Sequence, residues 1–99
     1  MLKTPAELMG ELGRRIALRR KSQGWTQQIA AERAGVAYRT WRRLEAGGQA
    51  SIEDLVKAAV ALRCEEGLEA LFPAPAATSL DDLLRQQKAQ ARRSEARRS

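Results

Sequence analysis

A chain of 99 residues has room for one domain and a short extension, and with only two Trp, one Tyr and one Phe its core must rely on Leu, Ile, Val and Ala, which suits short packed helices better than a sheet. Eighteen Lys plus Arg against twelve Asp plus Glu give a net charge of +6, a balance that favours a polyanionic partner. The absence of His and the single Cys64 exclude an internal disulfide and a cysteine-based zinc site and remove the commonest general base, so neither metal nor cofactor is expected, and no apolar run approaches the ~20 residues of a membrane helix.

Thr4-Pro5 with Glu7 reads as a capping box with an early Pro, opening a first helix. Leu8, Leu12 and Ile16 recur every four residues along it as one apolar stripe, and Gly24 stops it. Thr26 caps a second helix, Gln27 to Ala34, ended by Gly35. A third segment follows from Ala37 to Glu45, ended by Gly47-Gly48. Ser51 and Asp54 form another capping box, and Ile52, Leu55, Val56, Ala59 and Leu62 are the expected buried face of the fourth helix. Glu65 and Glu66 suit the start of a short fifth helix, with Leu68, Leu71 and Phe72 on its apolar side. Pro73-Ala-Pro75 then closes a domain at residues 1–75. Cys64 reads as a small packed hydrophobe.

Residues 76–99 form an extension. Each of the two parts carries a charge of +3, the second over far fewer positions. Ser79 and Asp82 make one more capping box, and Leu80, Leu83 and Leu84 begin an amphipathic helix. It runs into a basic end with Arg92-Arg93 and Arg97-Arg98, expected to be a frayed helix or disordered.

From Arg20 to Gly47 the sequence reads R-x-x-x-G-W-T-Q-x-x-x-A-x-x-A-G-V-x-x-x-T-W-x-x-L-E-x-G. Ala31 offers the small residue that two close-crossing helices need, and Gly35 the tight turn between them. Val36, Trp41 and Leu44 would anchor the third helix, leaving Ala37, Tyr38, Arg39, Arg42 and Arg43 on its outer side. Trp25 and Trp41 read as core.

On Arg20, Gly24, Thr26, Gln27, Ala31, Gly35, Val36, Thr40, Leu44, Glu45 and Gly47 the chain resembles the Xre, or Cro/CI-type, helix-turn-helix repressors. The resemblance covers roughly residues 8–72. It implies an all-α, five-helix, lambda-repressor-like DNA-binding domain, with the helix-turn-helix at about residues 26–45 and the basic extension behind it. The second helix of such a pair lies in the major groove with its first residues on base edges. Ala37, Tyr38, Arg39 and Arg43 are therefore the expected base readers. Arg suits the O6 and N7 acceptors of guanine, and the Ala37 methyl suits a thymine methyl. Thr26, Gln27, Arg42, Gly48 and Gln49 are the expected phosphate contacts. The resemblance makes Arg20 and Glu45 a partly buried ion pair joining the first and third helices. Two departures stand out: Ala30 replaces the family's usual Leu, and Ile29 a polar residue. They imply a core repacked around Trp25 or Trp41, or an Ile29 that faces a partner.

The family usually works as symmetric dimers on near-palindromic operators. Leu68, Leu71, Phe72, Leu80, Leu83 and Leu84 are the candidate dimer surface, with completion of the core as the competing role for Leu68 and Leu71. The expected function is a cytoplasmic, nucleoid-associated and autoregulatory repressor of duplex DNA, with no catalytic residues. The acidic-leucine stretch and basic end are similar to antitoxins of HipB type, which implies a kinase-like toxin as a further partner. A phage or restriction-modification regulator of the same fold is the alternative, as is an interaction module that has lost DNA binding. The latter would show acidic or apolar residues where Arg39, Arg42 and Arg43 stand.

Overall fold

Thr4 turns the chain into its first helix: its backbone is extended and its hydroxyl accepts the Glu7 amide N–H at 3.1 Å, relieving one of the unpaired donors of a helix start. The structure is a computed structural model that describes residues 2–75 and the backbone of 80–98, with side chains over 83–93 of that last stretch. Helix α1 runs Pro5–Ser22 and ends on Arg19, Arg20 and Lys21, cations placed well against the dipole. After Gly24, Thr26 accepts the Ile29 N–H and opens α2, Gln27–Ala34, which Gly35 closes in the left-handed conformation at φ 74°.

Helix α3 covers Tyr38–Glu45, one residue shorter than expected. Ala37 has an extended backbone and no capping oxygen, so it is the N-cap by backbone alone. Ser51 accepts the Asp54 N–H and starts α4, Ile52–Ala61. Helices α5, Glu65–Glu69, and α6, Leu80–Arg98, complete the order. The described residues therefore form an all-α fold with six helices, and the extension is helical through Arg98. The capping box expected at Ser79 and Asp82, and the side chain of Leu80, lie outside the described residues.

The core gathers Ile16 of α1, Ala30 and Ala31 of α2, Trp41 and Leu44 of α3, Ala58 of α4 and Leu62 behind it, with Trp25, Ala34, Val36, Leu55 and Cys64 packed partly against them. Ala30 and Ala58 have no exposed surface. Their small side chains let α2 and α4 approach closely around Trp41, itself wholly buried. The alanine at position 30 is thus a core residue beside a large indole, while Ile29 stays exposed.

This close approach corrects the expected apolar faces. Along α4 and its C-cap Leu62 the inward line is the half-buried Leu55 with the buried Ala58 and Leu62; Ala59 is half-buried, and Ile52, expected inside, is 82% exposed, with Val56 also outside. The alanine face has turned inward because α2 offers alanines to meet it. On α1 only Ile16 of the expected stripe is buried. Leu8 is exposed, and Leu12 instead edges an open apolar groove of about 380 Å³ that Met9, Leu44 and Leu55 help to line. Helix α5, at five residues, is too short to present a continuous face: Leu68 is half-buried, Leu71 is exposed, and Phe72 is 93% exposed at φ 51°.

One glycine sets the distance between α1 and α3. A Cβ on Gly13 would lie 2.7 Å from the Leu44 carbonyl oxygen and closer still to that of Glu45. Both are backbone atoms and cannot swing aside. Glycine inside a helix costs about 1 kcal/mol relative to alanine, so Gly13→Ala ought to stabilise α1 taken alone. In the folded chain it is expected to destabilise by about 1–3 kcal/mol, because α1 must move off α3. A urea midpoint at or above the wild-type value would show that the two helices are not locked at this contact.

Candidate nucleic-acid interface

The two sides of α3 differ sharply. Trp41 and Leu44 are buried, Thr40 and Glu45 are half-buried, and Tyr38, Arg39, Arg42 and Arg43 face solvent together with the cap residue Ala37. None of the three arginines has an ion pair among the described residues. Their charge is therefore not neutralised by any described carboxylate. The guanidinium carbon of Arg42 lies over the Tyr38 ring, 5.6 Å from its centroid, within the range of a cation–π contact.

The far end of α3 is held by one carboxylate. Glu45 Oε2 accepts Arg20 Nε at 2.5 Å and the Trp41 indole N–H, while Oε1 accepts Arg20 Nη2 at 3.1 Å and Gln27 Nε2 at 3.0 Å. Arg20 also donates Nη1 to the Trp25 carbonyl at 2.9 Å. Side-chain exposures of 11% for Arg20 and 8% for Glu45 make this a nearly buried, bidentate pair. Burial pushes the Glu45 carboxyl up. The hydrogen bonds from Arg20, Trp41 and Gln27, with the Arg20 charge, outweigh burial and hold it below the ordinary value of 4.5. The Arg20 guanidinium is driven further up by the same hydrogen bond. The carboxylate thus ties α1, α2 and α3 together at the end of α3 away from Tyr38.

Besides Arg42 on α3, the expected phosphate contacts fall in two places. Thr26 is exposed at the start of α2, and Gln27 beside it is half-buried and bonded to Glu45. Gly48 and Gln49 are exposed in the loop after α3. The Gly48 N–H is already donated to the Arg43 carbonyl at 2.8 Å, so of these two residues Gln49 is the one whose backbone N–H remains available among the described residues. Of the candidate dimer residues, Leu71, Phe72, Leu83 and Leu84 are exposed and Leu68 is half-buried. Sequence reasoning missed the glycine contact at Gly13 and the sharing of Glu45 by Gln27 and Trp41. The i,i+4 spacing of Trp41 and Glu45 was the available signal for the second. Nothing local marks Gly13.

The helix-turn-helix domain family matches residues 11–72, from the middle of α1 to just past α5. The chain belongs to the helix-turn-helix domain family. No curated protein matches it. In this helix-turn-helix protein the motif is α2, the Gly35 turn and α3, and the fold is one used to bind DNA. Among the described residues, no helix is long and apolar enough to cross a membrane, and no group of His, Cys, Asp and Glu is placed to hold a metal ion.

Proposed function

We propose that this helix-turn-helix protein is a sequence-specific transcriptional repressor of the Cro/CI type that inserts α3 into the major groove of duplex DNA. The observation that carries this reading is the exposed arginine face of α3, which has no ion pair among the described residues and is braced from behind by Trp41 and Glu45. Arg39 and Arg43 read base edges with Tyr38 and Ala37, and the start of α2 at Thr26 and Gln27 lies against phosphates, with Gln49 on the other flank. An interaction module without DNA binding is expected to carry acidic or apolar residues on this face, where Arg39, Arg42 and Arg43 stand without an ion pair among the described residues.

Selectivity calls for two such helices on half-sites about 34–36 Å apart, which a symmetric dimer supplies. The exposed Leu71, Phe72, Leu83 and Leu84 are the apolar residues available for it. The same residues and the basic length of α6 also suit a protein partner, as an autoregulatory antitoxin would require. The setting is the cytoplasm, on the nucleoid.

Binding-site selection from a randomised duplex pool tests the reading and should return a near-palindrome with at least one G in each half-site. Within that site, Arg39→Ala is expected to weaken binding by ~1–3 kcal/mol and to relax the preference at one base position. Unchanged operator preference in a competition assay would remove Arg39 from the base readers.

A further inference from the structure

Arg42 sits one turn beyond Tyr38 on the outer face of α3, where side chains lean back towards the helix start. Its guanidinium lies over the Tyr38 ring, within the roughly 6 Å at which a cation is attracted to an aromatic face. Both residues are exposed, and Arg42 has no ion pair among the described residues. The stack therefore carries the Arg42 charge towards the N-terminal end of α3, which in a helix-turn-helix reaches base edges. No side-chain hydrogen bond or ion pair engages Arg42 among the described residues, so its N–H donors remain available to a ligand, in the fork that matches guanine O6 and N7.

We infer that Tyr38 and Arg42 form a single guanine-reading unit, in which the ring is a shelf that fixes the guanidinium and Arg42 makes the base contact. This rests on the DNA-binding reading above. It moves Arg42 from the phosphate contacts expected from sequence to the base-reading set. Tyr38 becomes a positioning residue for it. A long side chain fixed before the DNA arrives loses less freedom on binding, so the stack acts by preorganisation.

The test is competition binding by the full chain, using duplexes selected from a randomised pool and derivatives in which each G·C pair of the half-site is replaced in turn, with a thermal melt of every variant. Arg42→Gln is expected to remove the preference at one guanine, by about tenfold or more, and to leave the other positions as they were. Tyr38→Leu should lose preference at that same guanine, the double variant should lose no more than either single one, and Tyr38→Phe should restore it by returning the ring. If Arg42→Gln weakens all duplexes alike and lowers the salt slope by about one, Arg42 is a phosphate contact and the unit is disproved. Losses at different base pairs that add in the double variant disprove it too. A wild-type chain that selects no duplex overturns the DNA-binding reading itself, and the unit with it.

Discussion

Trp41→Ala is expected to cost ~3–5 kcal/mol of folding stability, enough to leave much of the chain unfolded at physiological temperature. Trp41 is the largest wholly buried side chain, and it sits where α2, α3 and α4 meet over Ala30, Ala31 and Ala58. Alanines cannot reach across the space an indole leaves. The cavity therefore persists, adding its own penalty to the lost burial. The substitution also takes the indole N–H from Glu45. Urea denaturation should show a lowered midpoint with an unchanged slope, the mark of lost stability in an intact two-state fold. Trp41→Phe, which keeps most of the volume, should recover most of the loss. Wild-type melting for Trp41→Ala would mean that the ring is not the centre of the core.

The second large effect is expected at the Arg20–Glu45 pair. Arg20→Ala leaves a nearly buried carboxylate without its cation, a change that costs ~3–5 kcal/mol for a buried pair. The lower end applies here, because Gln27 and Trp41 still donate to Glu45. The pair also has a pH signature. In the wild type the Glu45 pKa is depressed, so its stabilisation is complete above 4.5 and is lost as pH falls through the lower folded value. Without Arg20 the chief lowering influences disappear while burial remains. The folded pKa then rises, and acid relieves the stranded charge instead of breaking a pair. The stability gap between wild type and Arg20→Ala should narrow as pH drops below 4.5. Glu11, lowered by its hydrogen bond to Lys3 at the surface, shifts in the same direction as wild-type Glu45 but keeps Lys3 in both proteins, so it cancels in the comparison.

Helix limits were legible because their signals are local. Thr4, Thr26 and Ser51 each accept the amide three residues on, as their spacing from the next apolar residues implied. The exposed face of α3 was legible for a similar reason, since burial of Trp41 and Leu44 fixes what lies opposite. What stayed hidden depends on another helix. Ile52 and Val56 look like core residues until α2 presents alanines that only an alanine face can approach. Gly13 looks like a defect in a helix until the backbone of Leu44 and Glu45 is laid against it. The Tyr38–Arg42 stack is permitted by i,i+4 spacing but is fixed by side-chain direction, which periodicity does not report.

The brace on α3 has a consequence for how such a protein can change its target. The contacts that hold the helix in place come chiefly from behind it or from its far end, in Gly13, Arg20, Gln27, Trp41, Leu44 and Glu45. The four solvent-facing side chains hang from that mount without supporting it. They form a cartridge: a new set can be fitted to address a different operator while the chassis, and its melting temperature, stays where it was.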